Sequence, residues 1–284
     1  MYHAKKSGDG VHMFDYRTDR VDTSRLQICS EVEDALETGA LRLWFQPIIE
    51  LGSQQIEGVE GLLRWQHPVH GSMSPAQFLH VVEISRHRKR LCREVIRQGA
   101  AFVAKARDSG HDLRVSVNTT IRDLLDASFP ALVESALDEH GIDADRIVLE
   151  ITERDLMDDR TGFEQAARAI RMLGVELSID DFGTGQSSLL RLHWLPVTEL
   201  KIDLGFVQAL GSDPEADIIV RSIVQLGQAL GHRVVAEGIE TARQLAQLRA
   251  LRCTHGQGYL FSAAMPPDDV LAMLGAKNVL ASSA

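Results

Sequence analysis

Polar side chains stand at or near the ends of short apolar runs in this sequence. They are Glu60, Asn118, Glu150, Asp180, Asp181, Lys201 and Glu237. Carboxylate and amide oxygens without cysteine or histidine suit Mg²⁺ or Mn²⁺ better than Zn²⁺ or Cu²⁺. If these acids meet at one place, they repel one another and are costly to desolvate unless cations neutralise them. The set therefore predicts a divalent-metal site with enough ligands for two ions, and Asp180 is a candidate bridge between them.

Paired metal ions of this kind are typical of phosphodiester displacement. Each residue also fits a structural role when it is taken alone. An acid after a strand commonly caps the next helix, Asn118 could form an Asx turn, and Lys201 could form a structural salt bridge with Asp203 or with a neighbouring acid. Independent capping would not concentrate acids at consecutive strands, so the whole set favours the metal site.

The elements that must position these residues alternate along the chain from about Arg25 to about residue 275. Strands are predicted at Leu41–Ile49, Ile56–Trp65, Leu113–Asn118, Ile147–Ile151, Val175–Asp180, Glu199–Ile202, Arg233–Glu237 and near Leu260. Helices are predicted at Arg90–Ser109, Asp126–His140, Gly162–Leu173, Asp217–Leu230 and Ala242–Leu251. Around eight repeats in roughly 250 residues fit a closed (β/α)₈ barrel, an α/β fold whose sites lie at the C-terminal strand ends.

Composition limits the class of protein. The chain has 284 residues, of which 44% are hydrophobic and 25% charged, as in ordinary globular proteins. Its net charge of −10 disfavours a nucleic-acid polymer as partner but not a small phosphorylated ligand, because bound cations can reverse the local field. Neither a membrane segment nor a secretory signal is present, which predicts a cytoplasmic location. Cys29, Cys92 and Cys253 are far apart in sequence and are predicted to be buried thiols.

Two further segments stand out. The segment after the two aspartates contains Gly183, Thr184 and Gly185, and its glycines and small hydroxyls predict a flexible loop that faces a ligand. The stretch Arg86–Arg90 is strongly basic. Runs of this kind are usually solvated helix faces, and we interpret this one in that way.

Several motifs follow one another in a fixed order. They are Glu60-Gly61-Leu62, Ser116-Val117-Asn118, Leu149-Glu150-Ile151-Thr152-Glu153, Asp180-Asp181-Phe182-Gly183-Thr184-Gly185, Leu200-Lys201-Ile202-Asp203, Ala236-Glu237-Gly238-Ile239-Glu240-Thr241 and Gln257-Gly258-Tyr259. With these motifs, from about Leu36 to Met273, the chain resembles the EAL-domain phosphodiesterases of bacteria. The resemblance implies a barrel whose first strand is antiparallel. It also implies hydrolysis of cyclic di-GMP to linear pGpG by a water that two metal ions activate.

The resemblance also assigns roles, residue by residue. It implies metal ligands at Glu60, Asn118, Glu150, Asp180, Asp181 and Glu237, a catalytic set of Lys201, Glu237 and Asp181, substrate contacts at Leu62, Arg64 and Gln257, and loop stabilisation by Glu240 with Gly183, Thr184 and Gly185. Lys201 matches the lysine that contacts the attacking water. The implied cofactors are two Mg²⁺ or Mn²⁺ ions. Ca²⁺ is expected to inhibit, because a larger and more flexibly coordinated ion should spoil the geometry.

The segment from Tyr2 to Phe14 resembles the end of a GGDEF diguanylate cyclase domain. The implied division is a GGDEF remnant at residues 1–20, a linker helix at 21–35, the barrel at 36–276 and a tail at 277–284. A longer GGDEF–EAL protein could be anchored to a membrane. The resemblance to the family also implies a homodimer.

The chain departs from the family pattern at several positions. Gly61 replaces the signature alanine, Gln186 stands where an aromatic residue is frequent, and Thr254 stands where an aspartate is common. The segment from Val82 to His87 also differs, on a helix predicted to lie at the surface. These changes bear on substrate affinity and on the loop, whereas the set of metal ligands is intact.

Two other functions fit part of the pattern. A non-catalytic receptor for cyclic di-GMP is the first, although such relatives usually lack several ligands and none is missing here. A barrel that uses Lys201 as a Schiff-base nucleophile is the second. The surrounding carboxylates argue against it, because nearby negative charge raises the pKa of a lysine.

Overall fold

The computed structural model describes residues 18–154, 160–185 and 195–276. Its strands are β1 Leu41–Glu50, β2 Ile56–His67, β3 Gly71–Met73, β4 Arg114–Asn118, β5 Ile147–Thr152, β6 Glu176–Phe182, β7 Glu199–Ile202, β8 Arg233–Ala236 and β9 His255–Gly256. Its helices are α1 Thr18–Thr38, α2 Pro75–Glu83, α3 Arg88–Asp108, α4 Ile121–Leu124, α5 Phe129–His140, α6 Arg160–Met172, α7 Leu204–Ala209, α8 Pro214–Leu230, α9 Ala242–Ala250 and α10 Pro267–Gly275, with a 3₁₀ turn at Ala144–Arg146.

The sheet closes into a barrel of eight strands. The strand order is β1-β9-β8-β7-β6-β5-β4-β2, and a further pairing between β1 and β2 completes the ring. The pairings from β2 through β9 around the ring are parallel, whereas β1 runs antiparallel to β9. The short strand β3 pairs antiparallel with the end of β2. The (β/α)₈ barrel with an antiparallel first strand is therefore confirmed.

Local sequence explains where several elements begin and end. Strand β5 is apolar apart from Glu150 and the terminal Thr152, and its residues Ile147 to Ile151 are at most 1% exposed, as expected for a parallel strand covered on both faces. Helix α8 begins after Asp213, whose side chain accepts a hydrogen bond from the N–H of Glu215. It ends at Leu230 and is capped by Gly231, whose φ of 72° is a left-handed value that glycine adopts without strain.

The contacts of the chain divide it into two compact units, Met1–Leu41 with Trp65–Leu91 and Arg42–Arg64 with Cys92–Ala284. In the first unit, Trp65 packs edge to face on Phe78 with their ring centroids 5.2 Å apart. The basic stretch also lies here. Arg86 pairs with Glu33 at 3.2 Å, and Arg90 pairs with Glu37 at 3.3 Å. Both acids belong to α1. In the basic stretch Arg86, Lys89 and Arg90 are exposed, whereas His87 is buried.

The second unit holds the described parts of the barrel from Arg42 to Arg64 and from Cys92 onward. Its interior is lined by residues of alternate positions along each strand. No helix in the three described ranges is apolar over a length that would cross a bilayer. Helix α1 covers the whole of the predicted linker. Residues 1–17 of the implied GGDEF remnant, the tail 277–284 and Gln186 lie outside the described residues. The division into domains stays a prediction.

Two predictions about the fold are wrong. The last strand is His255–Gly256 rather than a run near Leu260. The N–H of Leu260 donates to the carbonyl of Ile239 at 2.9 Å in a turn, so the apolar residues there pack without sheet pairing. Of the three cysteines, only Cys253 is buried, and Cys29 and Cys92 are partly exposed.

Candidate active site at the mouth of the barrel

The predicted polar residues come from six neighbouring strands or their C-terminal ends. Glu60 lies on β2, Asn118 ends β4, Glu150 lies on β5 and Lys201 on β7. Asp180 and Asp181 lie near the end of β6, and Glu237 directly follows β8. Parallel strands end at the same rim of the barrel, so residues far apart in sequence meet there.

Lys201 is the centre of this group. Its Nζ lies 2.7 Å from Glu237 Oε1, 3.0 Å from Glu150 Oε2, 3.3 Å from Asp180 Oδ1 and 3.4 Å from Glu60 Oε2. Four carboxylates against one ammonium leave a formal excess of three negative charges (4 − 1 = 3). The alternative pairing with Asp203 is not formed, because the carboxylate of Asp203 caps α7 through the N–H of Gly205.

Burial and charge shift the pKa values of this group. Burial alone lowers the pKa of Lys201, but the charges of Asp180, Glu150, Glu237 and Glu60 outweigh it and hold that pKa well above its usual range. Burial raises the pKa of Glu150 well above its usual range, against the lowering effect of Lys201. Burial likewise raises the pKa of Glu237 to about 8. The acids are therefore costly to ionise without further positive charge.

Two consecutive aspartates reach the site because β6 is irregular at its end. Successive residues of a regular strand point to opposite faces. Asp181 has a φ of 54°, and the pairing of β6 with β7 shifts register between Ile179 and Phe182. As a result, ligand oxygens of Asp180, Asp181 and Glu237 all lie within 4.8 Å of one another. Burial, followed by the charge of Asp180, raises the pKa of Asp181.

The donor set fits a hard divalent cation. All the clustered ligands are oxygens, as Mg²⁺ and Mn²⁺ prefer. Glu150 is fully buried, and its Oε1 has no hydrogen-bond partner within the described ranges. A buried carboxylate oxygen without a partner destabilises the folded state unless a cation or a hydrogen-bond donor binds it. The surplus of acid and this oxygen both indicate a site that takes up positive charge.

Amide side chains also donate hydrogen bonds to carboxylates of the cluster. Asn118 Nδ2 donates to Glu60 Oε1 at 3.3 Å. Gln257 Nε2 donates to Glu60 Oε2 at 2.6 Å and to Glu237 Oε1 at 3.0 Å. Gln257, one residue beyond β9, thus belongs to the same cluster, and its contact with substrate stays a prediction. Asn118 points its amide into the site instead of forming an Asx turn.

Strand β2 carries the two other predicted substrate contacts. Leu62 and Arg64 are two and four residues beyond Glu60, so they share its face of the strand. Both are half-buried. A guanidinium nitrogen of Arg64 donates to the carbonyl of Leu63 at 2.9 Å. The arrangement leaves Arg64 further along the strand than the carboxylate cluster.

The loop after the two aspartates is held by a residue to which sequence analysis gave no role. Glu153 Oε2 accepts hydrogen bonds from the N–H groups of Gly183 and Gly185, at 2.8 and 3.0 Å. Glu153 is only 2% exposed. The hydroxyl of Thr184 donates to the carbonyl of Asp181 at 2.9 Å. A signal was available, since Glu153 lies three residues after Glu150 in the same motif.

Glu240, the predicted loop-stabilising residue, lies elsewhere. It is exposed, and its Oε1 accepts a hydrogen bond from Gln208 Nε2 at 3.2 Å. Its backbone N–H donates to Gln244 Oε1 at 2.9 Å. Among the described residues, these contacts tie Glu240 to α7 and α9, and its action on the loop stays a prediction.

Two of the departures from the family pattern can be placed. A Cβ on Gly61 would lie 3.1 Å from Leu43 Cδ1 and 3.4 Å from Phe45 Cε1, so apolar side chains of β1 use the space of the missing methyl group. The hydroxyl of Thr254 donates to the carbonyl of Val234 at 2.9 Å and accepts from its N–H at 3.0 Å. Thr254 precedes β9 and acts there as a link between strands.

Comparison with known proteins agrees with this architecture. Residues 30–264 match the EAL domain family. The chain is 37% identical over 274 residues to the bifunctional diguanylate cyclase/cyclic di-GMP phosphodiesterase MucR of Pseudomonas aeruginosa, an alignment that covers 96% of this chain and 40% of MucR. The chain thus spans less than half the length of this relative. It belongs to the EAL domain family.

Solved structures of EAL proteins align with most of this chain. The phosphodiesterase of MucR in complex with c-di-GMP aligns with a TM-score of 0.82 and 37% identity, over 86% of this chain and 99% of that one. The EAL enzyme Bd1971 in its cGMP-bound form aligns with a TM-score of 0.85 and 32% identity, over 91% of this chain and 72% of that one.

Proposed function

We propose that this domain hydrolyses cyclic di-GMP to linear pGpG with two Mg²⁺ or Mn²⁺ ions. The observation that carries the proposal is the cluster of four carboxylates around Lys201, with a further aspartate beside it and an excess of negative charge. MucR is named a bifunctional enzyme of cyclic di-GMP, and its phosphodiesterase binds that nucleotide. The intact ligand set supports a catalytic domain over a receptor without catalysis.

The ligands divide into two overlapping groups. Asp180, Asp181 and Glu237 would hold one ion, since their oxygens lie within 4.8 Å of one another. The ligands of the other ion would be Glu60, Asn118, Glu150 and, as a bridge, Asp180. When bound, two such ions polarise the phosphoryl oxygens and lower the pKa of a coordinated water. This chain supplies the oxygens that hold them.

Lys201 and Glu237 have complementary roles in proton handling. The pKa of Lys201 is held well above its usual range by the carboxylates around it, so its ammonium stays charged. It can therefore donate hydrogen bonds to the attacking oxygen but cannot act as a base or a Schiff-base nucleophile. Burial raises the pKa of Glu237 to about 8 in the metal-free cluster. Bound cations would lower that pKa, which would leave the carboxylate ionised and able to accept a proton near neutral pH.

The residues along β2 and β9 would bind the nucleotide. Arg64 carries a guanidinium that can pair with a phosphate oxygen. Leu62 offers an apolar surface on the same face of β2. Gln257 Oε1 is buried and has no hydrogen-bond partner in the described part of the chain, so it can accept a hydrogen bond from a ligand. These three contacts are the proposed means of holding the substrate across the acidic cluster.

The wider setting is also a proposal. We place the domain in the cytoplasm, as part of a longer protein in which a GGDEF domain precedes it, and we expect a homodimer. The full-length protein could be anchored to a membrane by segments outside this chain.

The test is hydrolysis of cyclic di-GMP by the purified protein with Mg²⁺, Mn²⁺, Ca²⁺ or EDTA, followed by separation of the nucleotides. We expect pGpG with Mg²⁺ and Mn²⁺ and little product with Ca²⁺ or EDTA. Asp180→Asn and Glu60→Ala should each lower kcat by at least about a hundredfold, since a lost metal ion removes several kcal/mol of transition-state stabilisation. Asp112→Asn, at an exposed pair with Arg146, is the control. Binding of cyclic di-GMP without turnover would indicate a receptor and refute the proposal.

A further inference from the structure

One row of paired residues crosses five parallel strands, from β4 to β8. The register pairs Asn118 with Glu150, Glu150 with Ser178, Ser178 with Glu199, and Glu199 with Arg233. Asn118 is the last residue of β4, whereas Arg233 is the first residue of β8. Because barrel strands are tilted and staggered, this row descends from the mouth of the barrel to its base. Each of its members is polar.

The row faces the interior of the barrel. Ser178 precedes Asp180 by two residues, and Glu199 precedes Lys201 by two, so each shares the face of a residue in the acidic cluster. Ser178 is 0% exposed and Glu199 is 1% exposed. At the base, Arg233 lies 3.6 Å from Glu199 Oε2 and supplies a counter-charge to it.

Unpartnered polar atoms are concentrated on this row. In the described ranges, nine buried side-chain nitrogen or oxygen atoms have no hydrogen-bond partner, and four of them are Glu150 Oε1, Ser178 Oγ, Glu199 Oε1 and Arg233 Nε. They occupy four successive positions on neighbouring strands. A buried polar group without a partner costs roughly 1–3 kcal/mol. Four such groups side by side indicate a shared partner rather than four independent defects.

Water is the partner whose chemistry fits. The two carboxylate oxygens accept hydrogen bonds, the Nε–H of Arg233 donates, and the hydroxyl of Ser178 can do both. The hydroxyl of Ser178 can donate only one hydrogen bond, so it cannot satisfy the unpartnered oxygens of both Glu150 and Glu199. A buried water supplies two donors and two acceptors and typically meets two to four polar groups.

We propose that ordered water held by Ser178 and Glu199 binds Glu150 Oε1 from beneath the acidic cluster. Ser178 and Glu199 are then positioning residues. Glu150 Oε2 is fixed by Lys201 at 3.0 Å, and the water fixes the other oxygen, so the carboxylate cannot turn away from a bound cation. This deepens the proposed function and rests on it only in taking Glu150 as a metal ligand. Loss of a partner that orients a metal ligand typically lowers metal affinity by roughly 10- to 100-fold.

The first test measures Mn²⁺ affinity by calorimetry, which needs no turnover. Ser178→Ala removes one oxygen atom and should weaken Mn²⁺ binding by about tenfold, with little change in unfolding. The matched control is Ser116→Ala. Ser116 is also buried, also precedes a candidate ligand by two residues, and is not among the unpartnered groups. Equal effects of the two substitutions on Mn²⁺ affinity would refute the positioning role.

A second variant tests whether the two residues act through one water. Glu199→Gln keeps the shape of the side chain and should also weaken Mn²⁺ binding. The double variant, Ser178→Ala with Glu199→Gln, should have about the same Mn²⁺ affinity as the single variant with the lower Mn²⁺ affinity, because the shared water is already lost in that single variant. Independent, additive losses would contradict a common water.

Crystallography at high resolution gives a direct observation. We expect electron density for a water within hydrogen-bonding distance of Ser178 Oγ and Glu150 Oε1 in the wild-type protein, and its loss in Ser178→Ala. Direct hydrogen bonds between these atoms and other protein groups, without a water, would overturn the proposal. Mn²⁺ affinity and crystallographic water are independent of hydrolysis, so an inactive protein would refute the proposed function and leave this inference open to test.

Discussion

Lys201 Nζ lies 2.7 Å from Glu237 Oε1 in the interior of the barrel, where the lysine side chain is 0% exposed and that of the glutamate 12%. Three further carboxylates lie within 3.4 Å of the same nitrogen. The ammonium is therefore the positive charge that allows these acids to be buried together.

Replacing this lysine should destabilise the metal-free protein strongly. Lys201→Met keeps an unbranched side chain but leaves buried carboxylates without their counter-charge, which costs roughly 3–5 kcal/mol. Urea denaturation in EDTA measures the loss, and added Mn²⁺ should restore part of it. Hydrolysis should be lost while Mn²⁺ affinity is retained.

Lys105→Met is the matched control for this experiment. Lys105 pairs with Asp268 at the surface, and exposed pairs contribute roughly 0–1 kcal/mol. If the two substitutions destabilised the protein equally, Lys201 would not be the counter-charge of the cluster.

In the metal-free protein, the acidic cluster should contribute stability that falls as the pH rises from about 4.5 to about 8, whereas His232 and His255, whose pKa values burial lowers, act in the opposite sense. Burial raises the pKa of Glu237 from 4.5 to about 8, so between these values the folded state binds a proton that the unfolded state has released. Stability falls with rising pH wherever the folded state binds more protons. Glu150 and Asp181 shift in the same direction.

Chemical denaturation across this range, in EDTA, tests the sign. In Glu237→Gln the decrease with pH should be smaller, because one titrating group is gone. An equal pH dependence of stability in the wild-type protein and in Glu237→Gln would contradict the assigned protonation of the cluster.

Glu153 and Glu240 can be compared as supports of the loop from Gly183 to Gly185. Glu153→Ala removes the acceptor of two backbone N–H groups, and hydrogen bonds to a charged group contribute roughly 1.5–3 kcal/mol. Amide exchange at Gly183 and Gly185 should become faster, and kcat/KM should fall by at least about tenfold.

Glu240→Ala is the comparison, since Glu240 contacts Gln208. The family resemblance predicts that it also disturbs the loop, whereas its exposed position predicts a small effect on amide exchange. If amide exchange at Gly183 and Gly185 became faster in Glu240→Ala but not in Glu153→Ala, Glu240 would be the loop-stabilising residue.

Restoring the signature alanine should cost stability in this chain. The added Cβ of Gly61→Ala would meet Leu43 Cδ1 at 3.1 Å, and overpacking a core typically costs about 1–3 kcal/mol. Urea denaturation should show this loss, and Leu43→Val in the same chain should recover part of it. A Gly61→Ala protein as stable as wild type would show that β1 adjusts freely.

Much of the fold could be predicted from the sequence because its signals are local. Apolar runs, helical spacing and caps such as Asp213 predict strands and helices wherever they occur, and eight repeats predict the closed barrel. The prediction failed near Leu260, where apolar residues form a turn, because two residues of pairing at His255 and Gly256 carry too little pattern to detect.

The sequence by itself determined which side chains reach the mouth, since the C-terminal ends of parallel strands always meet there. Only the tertiary structure decided which atoms touch. Four features depend on strand register and on contacts between strands distant in sequence. They are the four carboxylates around Lys201, the two aspartates at the irregular end of β6, the hydrogen bonds of Glu153 to the loop, and the polar row from Asn118 to Arg233. Strand register is determined by the packing of the whole barrel, so it cannot be predicted from any short sequence motif.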